Sequence, residues 1–231
     1  DKRFFGMIIP KKYGGLEFSP LAQSAIVGKL ATKSQVLSIT TMVPNSLGPG
    51  ELLLKYGTEK QKDFYLPRLA DGREIPCFGL TEPFAGSDAA SIKSHGELFK
   101  DSDGKLKIRL NFEKRYITLG GIATVIGLAF QLKDPENLLP EGAKLGITCA
   151  LLKGDLPGIK RERRHMPMYV PFVNSPLWGK DVIISVEEDV IGGLKGLGDG
   201  WKMLMECLSV GRGISLPAIS TSASKFSTRA T

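Results

Sequence analysis

The spacing of apolar positions along this chain changes twice, and the changes divide it into three parts. Leu21, Ile26, Val27 and Leu30 recur at helical spacing behind Ser19-Pro20. That pair reads as an N-cap followed by a proline at the first helical position, where a missing N–H costs nothing. A second helix is predicted through residues 37–41. Residues 43–50, VPNSLGPG, read as a breaker-rich loop. A third helix opens at Thr58, where Thr58 and Gln61 form a capping box, and turns Phe64, Tyr65, Leu66 and Leu69 inward.

Beyond Asp71-Gly72 the period falls to two. In KLKIRLN, residues 105–111, Leu106, Ile108 and Leu110 share one face, and Lys105, Lys107 and Arg109 share the other. That alternation predicts a half-buried strand. Short apolar runs at 125–132, 146–152 and 181–186 read as further strands. No helical pattern of 10–15 residues separates them, so the sheet is expected to be antiparallel. From Gly200 the helical period returns, with Trp201, Leu204, Met205 and Leu208 at i, i+3, i+4 and i+7. The expected fold class is α+β: a helical domain over residues 1–75, an antiparallel β-domain over 76–190, and a linker with the start of a second helical domain over 191–231.

Composition narrows the function classes. The chain has 231 residues, 42% of them hydrophobic, and its longest nearly apolar run, 120–130, is far short of a bilayer span. A net charge of +7 favours anionic ligands without selecting one. The basic run KRERRH, 160–165, reads as a solvated strand edge. It has no interleaved aromatic residues, which argues against a nucleic-acid groove. Cys77, Cys149 and Cys207 are odd in number and far apart, so reduced core cysteines of an intracellular protein are expected, not a disulfide framework or zinc site. His95 and His165 lack metal-ligand spacing and read as surface or loop histidines. GGLKGLGDG, 192–200, lacks the GxGxxG spacing and reads as a domain-joining loop. The chain begins at Asp1 without a methionine, so the native N-terminus is expected to be missing.

Two stretches suggest chemistry. In GLTEPFAGSD, residues 79–88, a strand ends near Leu80 and Pro83 cannot continue the ladder. Ala85, Gly86, Ser87, Ala89 and Ala90 are small, and Gly86 can take positive φ at little cost. Such a turn can present unpaired N–H groups to an anion or to the edge of a heterocycle, with the Thr81 hydroxyl beside it. An ordinary tight turn has the same composition. The second stretch is KRYIT, 114–118, in which Tyr116 can stack on a ring and Thr118 can donate to a ring nitrogen. Alone, it is an unremarkable strand.

Together the two stretches make the chain resemble the acyl-CoA dehydrogenase family. GLTEPFAGSDAAS, 79–91, fits that family's flavin-site signature, and KRYIT fits its second flavin-contacting segment. GLGDGWKMLMECLSVGRG, 196–213, looks like the opening of its C-terminal helical domain. RFFGMIIPKKYGGLEFSP, 3–20, and residues 43–72 are similar to the large bacterial acyl-CoA dehydrogenases of fatty-acid β-oxidation. The resemblance implies FAD as cofactor, lined by Phe78, Leu80, Thr81, Gly86 and Ser87, with Thr81 bonded to the pyrimidine side of the ring. It implies Tyr116 against the ring, in place of the commoner tryptophan, followed by Ile117, and Thr118 bonded to N5. Ser87 and Arg212 would lie near bound acyl-CoA.

The reaction so implied removes an α-proton from a fatty acyl thioester while the β-hydrogen leaves as hydride, giving a trans-2-enoyl-CoA. An electron-transfer flavoprotein or similar acceptor would take the electrons. The intact protein is expected to be a homo-oligomer, cytoplasmic or associated with the inner membrane. An acyl-CoA oxidase, or a non-catalytic acyl-CoA- or partner-binding module on the same scaffold, remain the alternatives.

The chain departs from the family pattern in places. Asn111-Phe112 stands where an Asn-Gly turn is usual, so a longer or bulged hairpin is expected there. Ser209 replaces an acid that some relatives carry. Two branches of the family carry the catalytic carboxylate immediately before the arginine matched by Arg212, and here that residue is Gly211. Glu206 lies five residues earlier, about 140° away around a helix. Glu82 is given a structural part. The base is therefore expected beyond Thr231, with this chain a fragment inactive on its own.

Overall fold

A computed structural model describes residues 3–230 apart from Val170 and Phe172. Among the described residues four α-helices precede the sheet: α1 (Pro20–Ala31), α2 (Gln35–Met42), α3 (Pro49–Tyr56) and α4 (Glu59–Asp71). The starts of α1, α2 and α4 are capped by side chains. Ser19 Oγ accepts from Ala22 N at 3.3 Å and Ser34 Oγ from Leu37 N at 3.2 Å. Both arms of the Thr58–Gln61 capping box are made, at 3.2 and 3.0 Å.

The expected loop at 43–50 is not a loop. Val43–Leu47 form a π-helical turn that continues α2, and α3 begins at Pro49. Pro49 opens α3 at its first position, where no N–H is needed, and Pro44 sits within the π-helical turn. Asn45, fully buried, takes up loose backbone groups at the wider turn. Its side chain accepts from Ile8 N at 3.1 Å and donates to Phe4 O and Thr41 O, both at 2.8 Å.

Among the described residues seven strands follow in one sheet: β1 (Pro76–Gly79), β2 (His95–Lys100), β3 (Leu106–Thr118), β4 (Val125–Lys133), β5 (Ile147–Lys153), β6 (Ile159–Arg161) and β7 (Asn174–Ser185). The path runs β1-β4-β2-β3-β7-β6, with β5 on the other side of β4. Four of the six pairings are antiparallel, but β1 and β2 both run parallel to β4, a departure from the expected pattern. The cause lies in the segment between them. It turns on itself instead of forming a hairpin, so β2 resumes in the direction of β1 further along the same edge of β4.

The expected turn at Asn111-Phe112 is also absent, because β3 runs straight through it. The bulge expected there does exist, but it lies on the partner strand. Leu110 pairs with Val182 and Phe112 with Gly179, and Asp181, at φ 52°, donates its N–H to Asn111 Oδ1 at 3.1 Å.

Two cores flank the sheet. Leu98, Ile108, Leu110, Ile126, Leu128 and Phe130 belong to one. Leu52, Leu66, Leu69, Val125, Ala129, Cys149 and Leu204 belong to the other, against the helices. β4 supplies alternate residues to each, which is why its sequence is continuously apolar. All three cysteines are buried and free. After a short helix α5 (Val186–Asp189), the chain enters α6 (Gly200–Ala230). Among the described residues no helix is long and apolar enough to cross a membrane.

One carboxylate sits badly in the helical layer. Glu51, in the first turn of α3, has a buried Oε2 with no hydrogen-bond partner among the described residues. Burial raises its pKa from 4.5 to about 6, against the opposing pull of Lys55. The folded value exceeds the unfolded one, so Glu51 costs stability as pH rises from about 4.5 through 6, with the full cost above 6. Glu51→Gln is therefore expected to stabilise the fold by roughly 1 kcal/mol at pH 8, a figure discounted for a half-buried group. It should change nothing at pH 4. Equal denaturation midpoints for the two proteins at pH 8 would contradict this placement of Glu51.

Candidate functional site

The two stretches singled out in the sequence meet at one backbone hydrogen bond. Arg115 N donates to Thr81 O at 2.9 Å, which sets the strand end after β1 beside the end of β3. A tight turn follows Thr81, closed by Glu82 N→Ala85 O at 3.1 Å and Ala85 N→Glu82 O at 3.3 Å, with Pro83 and Phe84 at its tip. Phe84 is 92% exposed. Gly86 and Ser87 are exposed beyond it. Gly86 does not take the positive φ that a glycine allows. A Cβ there would meet nothing within 4 Å, so its surroundings leave room for a close approach.

The register of β3 decides where Tyr116 points. Ile108, Leu110, Phe112 and Lys114 are buried at alternate positions, and continued alternation would bury Tyr116 next. Between Lys114 and Ile117 the register slips: three steps on β3 match two on β7, from Leu177 to Ser175. This bulge, with Tyr116 at φ 59°, turns Tyr116 outward and leaves it 47% exposed. Re-aiming a side chain is a common use of a bulge beside a site. Parity then resumes with Ile117 buried in the core and Thr118 half-buried. Arg115 lies over the Tyr116 ring, 4.7 Å from its centroid, and His165 meets it edge-on at 5.1 Å.

Beneath this surface lies a feature the sequence did not show. Lys114 is 0% exposed. Its Nζ donates to Glu82 Oε1 at 2.8 Å and to Leu80 O at 3.2 Å. Glu82 also accepts Lys93 N at 2.7 Å and Ser94 N at 3.1 Å. Burial alone would push the Glu82 carboxyl up, but the hydrogen bonds from Lys114 and its other donors outweigh it and hold the group below its ordinary value. Burial draws the Lys114 ammonium down, with Glu82 pulling against it. The lysine stem needs room, and Gly79 provides it: a Cβ there would lie 3.3 Å from Lys114 Cγ.

The remaining candidates are placed variously. Phe78 and Leu80 are half-buried against the helix-side core. Phe78 fills the space left by Gly127, where a Cβ would come within 2.5 Å of its ring. Arg212 is exposed on α6. Glu206 is bound by Lys55 and Tyr56, whose hydrogen bonds hold its pKa below the ordinary value, the opposite of what a general base requires. The structure adds polar atoms near the end of β3. His165 Nε2, Asn174 Oδ1 and Ser175 Oγ are buried without partners among the described residues, and Asn174 and Ser175 pair with Thr118 and Ile117 across the strands. No spacing in the sequence singles these residues out, because pairing with β7 is what gathers them.

Known proteins match this arrangement. The model of the acyl-CoA dehydrogenase N-terminal domain matches residues 1–73, and that of the acyl-CoA dehydrogenase middle domain matches residues 77–175. The chain is 50% identical over 103 residues to "Protein HemX" of Proteus mirabilis, covering 45% of this chain and 60% of that protein. It is 33% identical over 221 residues to "Probable acyl-CoA dehydrogenase FadE10" of Mycobacterium tuberculosis, covering 96% of this chain and 32% of that one. The acyl-CoA dehydrogenase of Geobacillus kaustophilus superposes with a TM-score of 0.79 at 28% identity, covering 95% of this chain and 54% of that one. The chain thus spans about a third to three fifths of the length of the proteins it matches. Two consecutive domain models, a shared fold and a motif pair joined at Thr81 and Arg115 agree, and the chain belongs to the acyl-CoA dehydrogenase family.

Proposed function

We propose that this chain forms the flavin-contacting part of an FAD-dependent enzyme that dehydrogenates fatty acyl-CoA to trans-2-enoyl-CoA in fatty-acid breakdown. The observation that carries the reading is the outward turn of Tyr116 at the β3 bulge, on the strand joined to Thr81. An exposed aromatic face, two threonine hydroxyls and an open turn at Gly86-Ser87 suit a planar heterocycle carrying phosphates.

FAD, when bound, supplies hydride acceptance; the protein binds and orients. Tyr116 stacks on the ring. Thr81 and Thr118 bond its polar edges, Ser87 borders the phosphates, and Arg115 adds positive charge beside the ring. Ser87 and Arg212 contact the acyl-CoA. The base that takes the α-proton is not Glu206, which is tied to α3. An electron-transfer flavoprotein is the fitting acceptor, and the intact enzyme is a homo-oligomer. The division into helical and β-domains falls near residues 75 and 190.

Spectroscopy tests the reading. The protein is titrated with FAD, and the visible spectrum and midpoint potential of bound flavin are compared between wild type and Thr118→Val. Loss of one hydrogen bond to N5 is expected to shift both. Identical spectra and potentials would remove Thr118 from the site, and no FAD uptake by wild type would overturn the reading as a whole.

A further inference from the structure

We infer that the buried Lys114–Glu82 pair is a positioning device that sets the two flavin-contacting segments at a fixed distance. This rests on the flavin reading given above for its functional meaning, though not for its geometry.

The argument begins with the connections of the pair. Lys114 belongs to β3, two residues before Tyr116 and four before Thr118. Its ammonium reaches across to Leu80 O and Glu82 Oε1, the residues on either side of Thr81. Glu82 in turn holds Lys93 N and Ser94 N, at the approach to β2. One lysine therefore fastens the chain before and after Thr81, while Arg115 N holds Thr81 itself. Three segments that share no strand ladder at this point are drawn to one charge.

Stability does not account for such a pair. Removing two charges from water costs about as much as their attraction returns, and apolar pairs of similar volume are often as stable. Geometry does account for it. An apolar contact would let the 80–82 backbone slide, whereas a carboxylate with three donors and an ammonium with two acceptors hold it in one place. Tyr116 also needs such support, because its positive φ persists only where surrounding structure enforces it. Gly79 leaves room beside the lysine stem, since a Cβ there would lie 3.1 Å from Leu128 Cδ1 and 3.3 Å from Lys114 Cγ.

The test uses Glu82→Gln/Lys114→Met, which removes both charges and keeps most of the volume. Amide hydrogen exchange at Arg115, the donor to Thr81 O, is read relative to amides of β4. It is expected to quicken about tenfold in the variant, as one anchored bond becomes free to open. FAD affinity is expected to fall about tenfold, with altered visible circular dichroism of the bound flavin. Leu66→Ala, in the helical layer, is the control: it lowers global stability and leaves the Arg115-to-β4 ratio and the flavin spectrum at wild-type values.

If the double variant does not fold, Glu82→Gln alone, nearly isosteric, is expected to move both readouts the same way. An unchanged Arg115 exchange ratio overturns the inference whatever the flavin does. If wild type takes up no FAD, the functional reading fails, and the exchange ratio still decides whether the pair positions the segments.

Discussion

Glu82→Leu is expected to lower the unfolding free energy by about 3–5 kcal/mol, because it strands an ammonium where no water reaches. Lys114 is 0% exposed and would keep only the carbonyl of Leu80. The amides of Lys93 and Ser94 would lose their acceptor as well. Lys114→Met is expected to cost less, since Glu82 retains those two backbone donors. Replacing both partners, as Glu82→Leu/Lys114→Met, should cost about 1–3 kcal/mol less than the sum of the two single changes. Chemical denaturation of the four proteins measures this. Additive costs would mean that the two charges do not depend on each other.

Phe130→Ala is expected to cost about 3–5 kcal/mol, a large share of the 5–15 kcal/mol typical of a whole domain. Phe130 lies on β4 at 0% exposure, inside the core cluster of the sheet. Its ring packs over Gly96 of β2, where an added Cβ would come within 2.7 Å of Phe130 Cε2, 2.5 Å of Ile108 Cγ2 and 2.8 Å of Leu110 Cδ2. Gly96→Ala in the wild-type background should thus destabilise by about 1–3 kcal/mol through overpacking. In the Phe130→Ala background it should cost less, since one of its three obstructions is gone. Denaturation midpoints give the answer. A Phe130→Ala loss below about 1 kcal/mol would mean the core collapses onto the cavity.

Local chemistry was legible from the sequence. Ser19 and Thr58 cap their helices because a cap needs only a side-chain oxygen within three residues of a free N–H. Alternation in 105–111 marked β3, because the inward face of a strand repeats every second residue. The two segments were readable as a pair through their resemblance to the motifs of one family, and the Arg115–Thr81 hydrogen bond joins them in the fold. What spacing alone could not show was any consequence of a distant partner. Residues 43–50 looked like a loop until Asn45 is seen to bond Ile8 and Phe4 of another segment. Antiparallel order looked sufficient until β1 and β2 are seen to share one edge of β4.

The site depends most on what tertiary structure decides. Alternation along β3 would have buried Tyr116, and only the slipped pairing with β7 turns it outward. A lysine between Glu113 and Arg115 looks like one more solvated charge, and only the sheet places it under Thr81 with Glu82 in reach. The physical reason is common to all these cases. Caps and periodicity arise within a few residues, whereas the β3–β7 register and the Lys114–Glu82 pair are settled between residues 32 or more apart in sequence, where the chain itself carries no signal.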